Sequence, residues 1–330
     1  MSHLPVMLTQ ALDALNLQAG GRYVDCTFGA GGYSKAMLDA ADCQVLALDR
    51  DPGVQKDAAS LVKSSGGRFS FQLSPFSGLE AALQANGWDQ VDGIVLDIGV
   101  SSMQIDQSER GFSFMRDGPL DMRMSQSGIS AADVVNQLDE AGLIRIFRVY
   151  GEEKRARRAA QAIVERREQS AIETTGQLAD LIETAMGGKK GRIHPATKVF
   201  QALRIFVNDE LGELAVLLLV AERMLKPTGR LVVVAFHSLE DRLVKTFLRQ
   251  RSEAPSVGSR HAPVMDRPEF HPSFQLVKRG VIVPDTAEVK TNVRSRSARL
   301  RWAIRSEAPA FDLRPELLQM PDLNALEASA

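Results

Sequence analysis

The sequence predicts an α/β protein: a doubly wound sheet with an all-helical domain inserted into it. Three observations lead there. Apolar, strand-like runs alternate with helical stretches over residues 20–97. The alternation stops between about Ile105 and Leu211, where only helical periodicity appears. It then resumes with a strongly β-branched run, Leu231–Phe236. Alternation of this kind builds βαβ units and a parallel sheet, and a long interruption reads as an insertion.

Taken in order, strands are expected at Tyr23–Cys26, Gln44–Leu48, Phe69–Leu73 and Gly93–Leu96. Helices are expected between them near Tyr33–Ala41, Gly53–Ser64 and Leu79–Asn86. The interruption carries helical stretches at Ala131–Gln137, Glu140–Val149, Glu153–Gln169, Thr175–Met186 and Pro195–Val207. Leu211–Leu225 follows as a helix closed by Pro227 and Gly229. Its run Leu214–Ala221 is eight apolar residues, too short to span a bilayer. Ser238–Arg251 is a helix in which Ser238 and Asp241 form a capping-box pattern. Phe274–Val277 and Leu300–Ile304 are the last two strands expected.

The predicted organisation is a discontinuous sheet domain, 1–104 with 212–306, around a helical domain at 105–211. Residues 307–330 form a tail, in which Leu313–Leu318 is either a short helix or part of an unstructured end. Residues 252–272, rich in Ser and Pro, read as a mobile loop.

Composition excludes several classes. A hydrophobic content of 44% with 25% charged residues is that of an ordinary globular chain, not a disordered one. Net charge is −1, so any nucleic-acid binding must come from local patches. Cys26 and Cys43 form no ligand or disulfide pattern and suit a cytoplasmic protein. No basic-then-apolar leader opens the chain. The five histidines lack metal-ligand spacing, and no metal is expected.

The most specific stretch is Asp25-Cys26-Thr27-Phe28-Gly29-Ala30-Gly31-Gly32. It reads as a strand breaking into a glycine turn and then a helix, a layout that brings backbone N–H groups close to a nucleotide-like ligand. Asp49 ends the next strand, 18 residues past Gly31, where an acid can hold ribose hydroxyls. Gly29 and Gly31 fit a dinucleotide fingerprint, but its third glycine falls on Ser34. Asp25 would repel a pyrophosphate and suits a cationic amino-acid tail or a second hydroxyl. The cofactor indicated is therefore S-adenosyl-L-methionine rather than NAD. A structural turn in a nucleotide-free domain is the plain alternative.

Other constellations could carry chemistry. The fourth strand runs into Asp97-Ile98-Gly99-Val100-Ser101-Ser102, followed by Gln104. An acid, hydroxyls and an amide there suit a cofactor and a target group, or simply a polar loop. The loop Arg110–Met124 mixes glycines, arginines and Phe112, Phe114 and Met115 without helical or strand period. It suits either stacking on unpaired bases or plugging a core. Basic clusters occur at Lys154, Arg155, Arg157, Arg158, Arg166 and Arg167, at Lys189, Lys190 and Arg192, and at Arg294, Arg296, Arg299, Arg301 and Arg305. They read as phosphate-binding faces or as solvated surface. His237, at a strand end, could orient a target or accept a proton, or merely pack in its turn.

These segments together resemble the RsmH (MraW) family. The matching stretches include His3–Leu8, Asp25–Ser34, Ala47–Pro52, Pro75–Ser77, Asp97–Ser102, Arg110–Met124, His194–Thr197, Phe200–Ile205 and Phe236–Lys245, nearly the whole chain. The resemblance implies a Rossmann-like class I methyltransferase acting on N4 of a cytidine in 16S ribosomal RNA near the decoding centre. It further implies the assembled small subunit as the substrate form. It implies cofactor contacts at Gly31, Gly32, Tyr33, Asp49, Phe76, Asp97 and Gln104, with Tyr33 standing where the family usually has histidine. Candidate catalytic residues are Asp97, Ser101, Asp121 and His237. A DNA amino-methyltransferase and a non-catalytic RNA-binding assembly factor are the competing readings.

Overall fold

The computed structural model describes residues 5–188, 191, 194–254, 270–277, 280–312 and 318. The expected loop at 252–272, the possible helix at 313–318, the tail and the basic residues Lys189, Lys190 and Arg192 lie largely or wholly outside them. The chain divides into two compact units. One runs from the N-terminus through Gly99 and resumes at Glu213; the other is Val100–Gly212.

The first unit is built on a seven-stranded sheet. Its strands are β1 (Arg22–Asp25), β2 (Gln44–Asp49), β3 (Phe69–Leu73), β4 (Val91–Asp97), β5 (Leu225–Ala235), β6 (Phe274–Gln275) and β7 (Arg299–Arg305). Their spatial order is β3-β2-β1-β4-β5-β7-β6. The first five pair in parallel, as expected for a doubly wound sheet. β7 is antiparallel to both β5 and β6. The order reverses at β1, between β2 and β4, and ligands of such sheets bind beyond the strand ends at that point.

The helices of this unit follow from local signals. Helix α1 (Leu8–Leu15) was not anticipated. Helix α2 (Gly32–Ala40) starts at the glycine turn, and α3 (Gln55–Ser64) follows a short 3-10 turn at Pro52–Val54. Helix α4 (Leu79–Ala85) follows a second such turn at Phe76–Gly78. Buried Val24, Leu46, Leu48, Ile94, Leu96 and Val232 form the middle of the core. Both cysteines are buried, unpaired thiols.

The second unit is helical: α5 (Ser102–Asp106), α6 (Ala131–Gln137), α7 (Glu140–Val149), α8 (Ala156–Gln169), α9 (Thr175–Ala185) and α10 (Thr197–Asn208). Its own core includes Val135, Phe147, Ile163, Ile182 and Leu203. Among its described residues the only β pairing is a single bridge, Pro119 to Thr174. Helix α11 (Glu210–Met224) begins at its end and runs directly into β5.

Helix α12 (Ser238–Ser252) starts one residue earlier in its cap than expected. The capping box is His237 with Glu240, not Ser238 with Asp241. Asp241 turns away from the backbone and binds Arg301 at 2.7 Å and Arg299 at 3.2 Å. Two charge-assisted partners outweigh one neutral cap bond. A last helix, α13 (Thr286–Thr291), was also not anticipated.

Among the described residues no helix is long and apolar enough to cross a membrane.

Candidate active site

Three adjacent parallel strands end in the same residue type. β1 ends at Asp25, β2 at Asp49 and β4 at Asp97. Register places Asp25 opposite Ala47 on one side and Val95 on the other, so the three carboxylates gather at the carboxyl end of the sheet. Like charges in a buried setting oppose ionisation. Burial pushes Asp25 and Asp49 each up to about 6, against hydrogen bonds that pull them down. Burial pushes Asp97 well above the ordinary carboxylate range, with Asp25 adding to it.

The three acids are used differently. Asp25 is fully buried, and Oδ2 accepts the Ser34 hydroxyl at 2.7 Å while Oδ1 accepts the Thr27 N–H at 3.1 Å. The expectation that Asp25 faces a cationic tail is corrected: both of its oxygens are turned into the glycine turn. Ser34, where a dinucleotide fingerprint would have its third glycine, is the residue that ties α2 to β1.

Asp49 accepts the Gly29 N–H at 2.8 Å through Oδ2 and the Asp51 N–H at 2.9 Å through Oδ1. Two backbone bonds fix the carboxylate, and each oxygen keeps a second lone pair for a ligand hydroxyl. Gly29 and Gly31 take φ of 52° and 77°. Side chains other than glycine rarely adopt these angles, and they swing the chain from β1 into α2. Lys35 N–H bonds Gly31 at the start of α2, so the N–H groups of Gly32 and Tyr33 precede the first α-helical bond.

Asp97 differs from both. Its backbone N–H donates to the Thr27 hydroxyl at 2.7 Å. Its Oδ1 is shut off from solvent and has no hydrogen-bond partner. A buried, unpaired carboxylate oxygen costs stability unless something absent from the chain satisfies it. Phe76 is half-buried and opens the 3-10 turn after Pro75, while Glu213 holds the next residue, Ser77, through its N–H at 2.8 Å.

Tyr33 presents only its backbone. Its ring is 3% exposed and its hydroxyl donates to the Val6 carbonyl.

The remaining candidates are engaged in structure. His237 Nδ1 accepts the Glu240 N–H at 3.3 Å, and Nε2 lies 2.9 Å from Glu240 Oε1. Despite that closeness, Nε2 lacks hydrogen-bond geometry to the carboxylate and is shut off from solvent without a hydrogen-bond partner. In the second unit, the Ser101 hydroxyl accepts the Gln104 N–H at 3.2 Å and Gln104 Oε1 accepts the Ser101 N–H at 3.0 Å, a capping box for α5. Asp121 is bound to the Arg123 guanidinium and accepts the Arg123 N–H at 2.9 Å.

The basic clusters divide in the same way. Arg155 donates to the Met186 carbonyl at 2.8 Å, and Arg167 to the Val135 and Leu138 carbonyls at 2.9 and 2.6 Å. Arg305 donates to the Glu222 carbonyl at 2.7 Å. These arginines close helix ends and strand edges. Lys154, Arg157, Arg158 and Arg296 are exposed. In the loop 110–124, Phe112 and Phe114 pack against the helical core, whereas Met115 is 83% exposed. Glu288, whose part is described below, escaped the sequence reading: its partner Met7 is 281 residues away, and no local pattern announces it.

The family model described as MraW methylase matches residues 1–306. The chain is 59% identical over 316 residues to Ribosomal RNA small subunit methyltransferase H of Maricaulis maris, covering 96% of this chain and 94% of that protein. It is 55% identical over 308 residues to the protein of the same name from Xanthobacter autotrophicus, covering 93% and 88%. The corresponding protein of Hyphomonas neptunium is 52% identical over 329 residues, covering 99% and 96%. A doubly wound sheet with a helical second unit, acids at its three central strand ends and matches along nearly the full chain lead to one assignment: the chain belongs to the MraW methylase family.

Proposed function

We propose that this chain transfers a methyl group from S-adenosyl-L-methionine to N4 of a cytidine in small-subunit (16S) ribosomal RNA. The target lies near the decoding centre, the substrate is the assembled subunit, and the reaction takes place in the cytoplasm. The observation that carries the reading is Asp97 Oδ1, a buried carboxylate oxygen with no partner at the end of β4. The names of the relatives, all small-subunit ribosomal RNA methyltransferases, support the substrate.

The residues fit the cofactor. Gly31 gives its N–H to the Phe28 carbonyl at 2.7 Å and shapes the turn, the N–H groups of Gly32 and Tyr33 follow it at the start of α2, the lone pairs left on Asp49 suit ribose hydroxyls, and Phe76 suits an adenine face. Asp97 suits a cationic group, whose charge would relieve the acid gathering at the strand ends. Gln104 is committed to its cap in the second unit, so the cofactor reading rests on the first unit alone. When bound, the cofactor supplies an electrophilic methyl group on a sulfonium.

The cytosine amine is a weak nucleophile because its lone pair is delocalised into the ring. Alignment and a hydrogen-bond acceptor are what the protein must supply. Of the four candidates, Ser101 and Asp121 are held by neighbours, His237 caps α12 through Nδ1, and Asp97 keeps an oxygen for the task at the end of β4. Burial raises its proton affinity well above that of an ordinary carboxylate, which suits late acceptance of a proton. The second unit is the RNA-recognising part in this proposal, with exposed Lys154, Arg157, Arg158 and Met115 as its contacts.

The test is to offer labelled cofactor with small ribosomal subunits, naked ribosomal RNA and duplex DNA, and to analyse the cytidines by mass spectrometry. N4-methylcytidine in the small subunit is expected. Labelling of DNA alone, or none of the three, would overturn the proposal.

A further inference from the structure

The chain's first described residues are fastened to the glycine turn from two sides. The Pro5 ring sits where a side chain on Gly32 would have to go: a Cβ there would come within 2.2 Å of Pro5 Cγ. The Val6 carbonyl accepts the hydroxyl of Tyr33, the second residue of α2. The Met7 N–H donates to Glu288 Oε1 at 2.6 Å. Met7 is fully buried and takes φ of 52°, a left-handed conformation that a methionine adopts only when its surroundings over-determine it.

Glu288 is itself held in place. Asp285 caps α13 by accepting the Glu288 N–H at 2.8 Å. The Glu288 carboxylate is only half-buried, and its bond to Met7, next to the Val6 that holds Tyr33, sets it beside the start of α2. Three sequence-distant pieces thus meet beside the cofactor turn: the N-terminal segment, the start of α2 and α13. The core does not need an acid here. Any acceptor would satisfy the Met7 N–H, so the negative charge calls for a separate reason.

We propose that Glu288 is a positioning and selectivity residue of the cofactor site. Through Met7 it holds Pro5–Met7 as a strap against the glycine turn. Through its charge it favours the sulfonium donor over the demethylated product, whose sulfur is neutral. The proposal rests on S-adenosyl-L-methionine being the cofactor. It would help the enzyme hold its donor and release its product, which share every other group.

Titration calorimetry with the donor and with S-adenosylhomocysteine tests it. The wild-type protein should bind both. Glu288→Gln keeps an acceptor for the Met7 N–H and removes the charge. It should weaken donor binding about three- to tenfold and change product binding less than about twofold. Glu288→Ala removes strap and charge together. It should weaken both ligands about tenfold, with faster amide hydrogen exchange at Val6 and Met7. If Glu288→Ala does not fold, Glu288→Gln still decides the selectivity role, and Glu288→Asp, which keeps the charge on a side chain too short to hold the Met7 N–H, tests the strap by the same exchange measurement. An unchanged donor-to-product ratio in Glu288→Gln overturns the selectivity role, and unchanged exchange in a folded Glu288→Ala overturns the strap. Failure of the wild-type protein to bind either ligand would instead sink the cofactor reading beneath it.

Discussion

The glycine turn after β1 and the loop 110–124 look alike on paper: both are irregular, rich in glycine and charge, and lead toward helices. Their polar groups are used in opposite ways. In the loop, Arg110 donates to the carbonyls of Arg123 and Met124, both at 3.0 Å, and Asp121 is paired with Arg123. Asn208 donates to the Met122 carbonyl at 2.7 Å and accepts the Met124 N–H at 2.8 Å. Asp117 accepts the Gly176 N–H at 2.7 Å. At the strand ends beside the glycine turn, Asp25 is fully buried with a hydrogen bond on each oxygen, but Asp97 keeps a buried oxygen without a partner. A segment that satisfies itself is architecture. One that pays to leave a buried group unsatisfied is poised for a ligand.

The largest expected effect separates the two regions. Asp97→Asn should lower methyl transfer by at least about 100-fold. The same change should stabilise the ligand-free protein by about 1–3 kcal/mol, because it removes an unpaired buried carboxylate. Calorimetric melting of the ligand-free variant beside a turnover assay checks both. A lower melting temperature, or turnover at the wild-type rate, would contradict the contrast drawn here.

The loop should respond the other way. Asn208→Ala strands the Met122 carbonyl and the Met124 N–H and should cost about 2–4 kcal/mol. Cofactor affinity should stay within about twofold. Denaturant unfolding reads the first quantity and titration calorimetry the second. A loss of stability below about 0.5 kcal/mol would mean the loop is not held as described.

Acidity gives the smallest effect and the finest resolution. Asp25 and Asp49 sit at about 6 in the folded chain, above the unfolded value near 4. The folded state therefore takes up their protons first as pH falls. The ligand-free protein gains stability from these two groups between about pH 6 and 4, and loses that gain as pH rises through 6. Cofactor binding should run opposite, because Asp49 must be ionised to accept ribose hydroxyls. The dissociation constant should rise about tenfold per pH unit below 6. Titrations at about pH 7.5, 6 and 5 measure it, and a flat dependence would exclude Asp49 from the ribose.

Much of the scaffold was legible before any coordinates. Phe69–Leu73, Ala131–Gln137 and Glu140–Val149 begin and end at the expected residues. Their boundaries are set by neighbours in sequence: Ser130 and Asp139 cap the two helices, and alternation within a few residues marks the strand. Helices α1 and α13 were missed, and their caps explain why. Helix α1 starts at Met7, which offers no side-chain cap, and α13 is six residues long with no buried residue. The basic clusters could not be sorted from the sequence, since a run of arginines looks the same whether its guanidinium groups face solvent or a helix end.

What the sequence alone determined is therefore local: which segments are strands and helices, where the glycine turn lies, and that acids stand at its edges. Those features depend on backbone preferences and periodicity spanning a few residues. Tertiary structure decided which of those acids is spent. It also turned the Tyr33 ring inward toward Val6, ran β7 antiparallel to β5, and brought Glu288 to Met7. Each of these depends on groups from tens to hundreds of positions apart. Only the closing of the sheet and its helices makes them neighbours, and burial then sets the cost of every polar atom left without a partner.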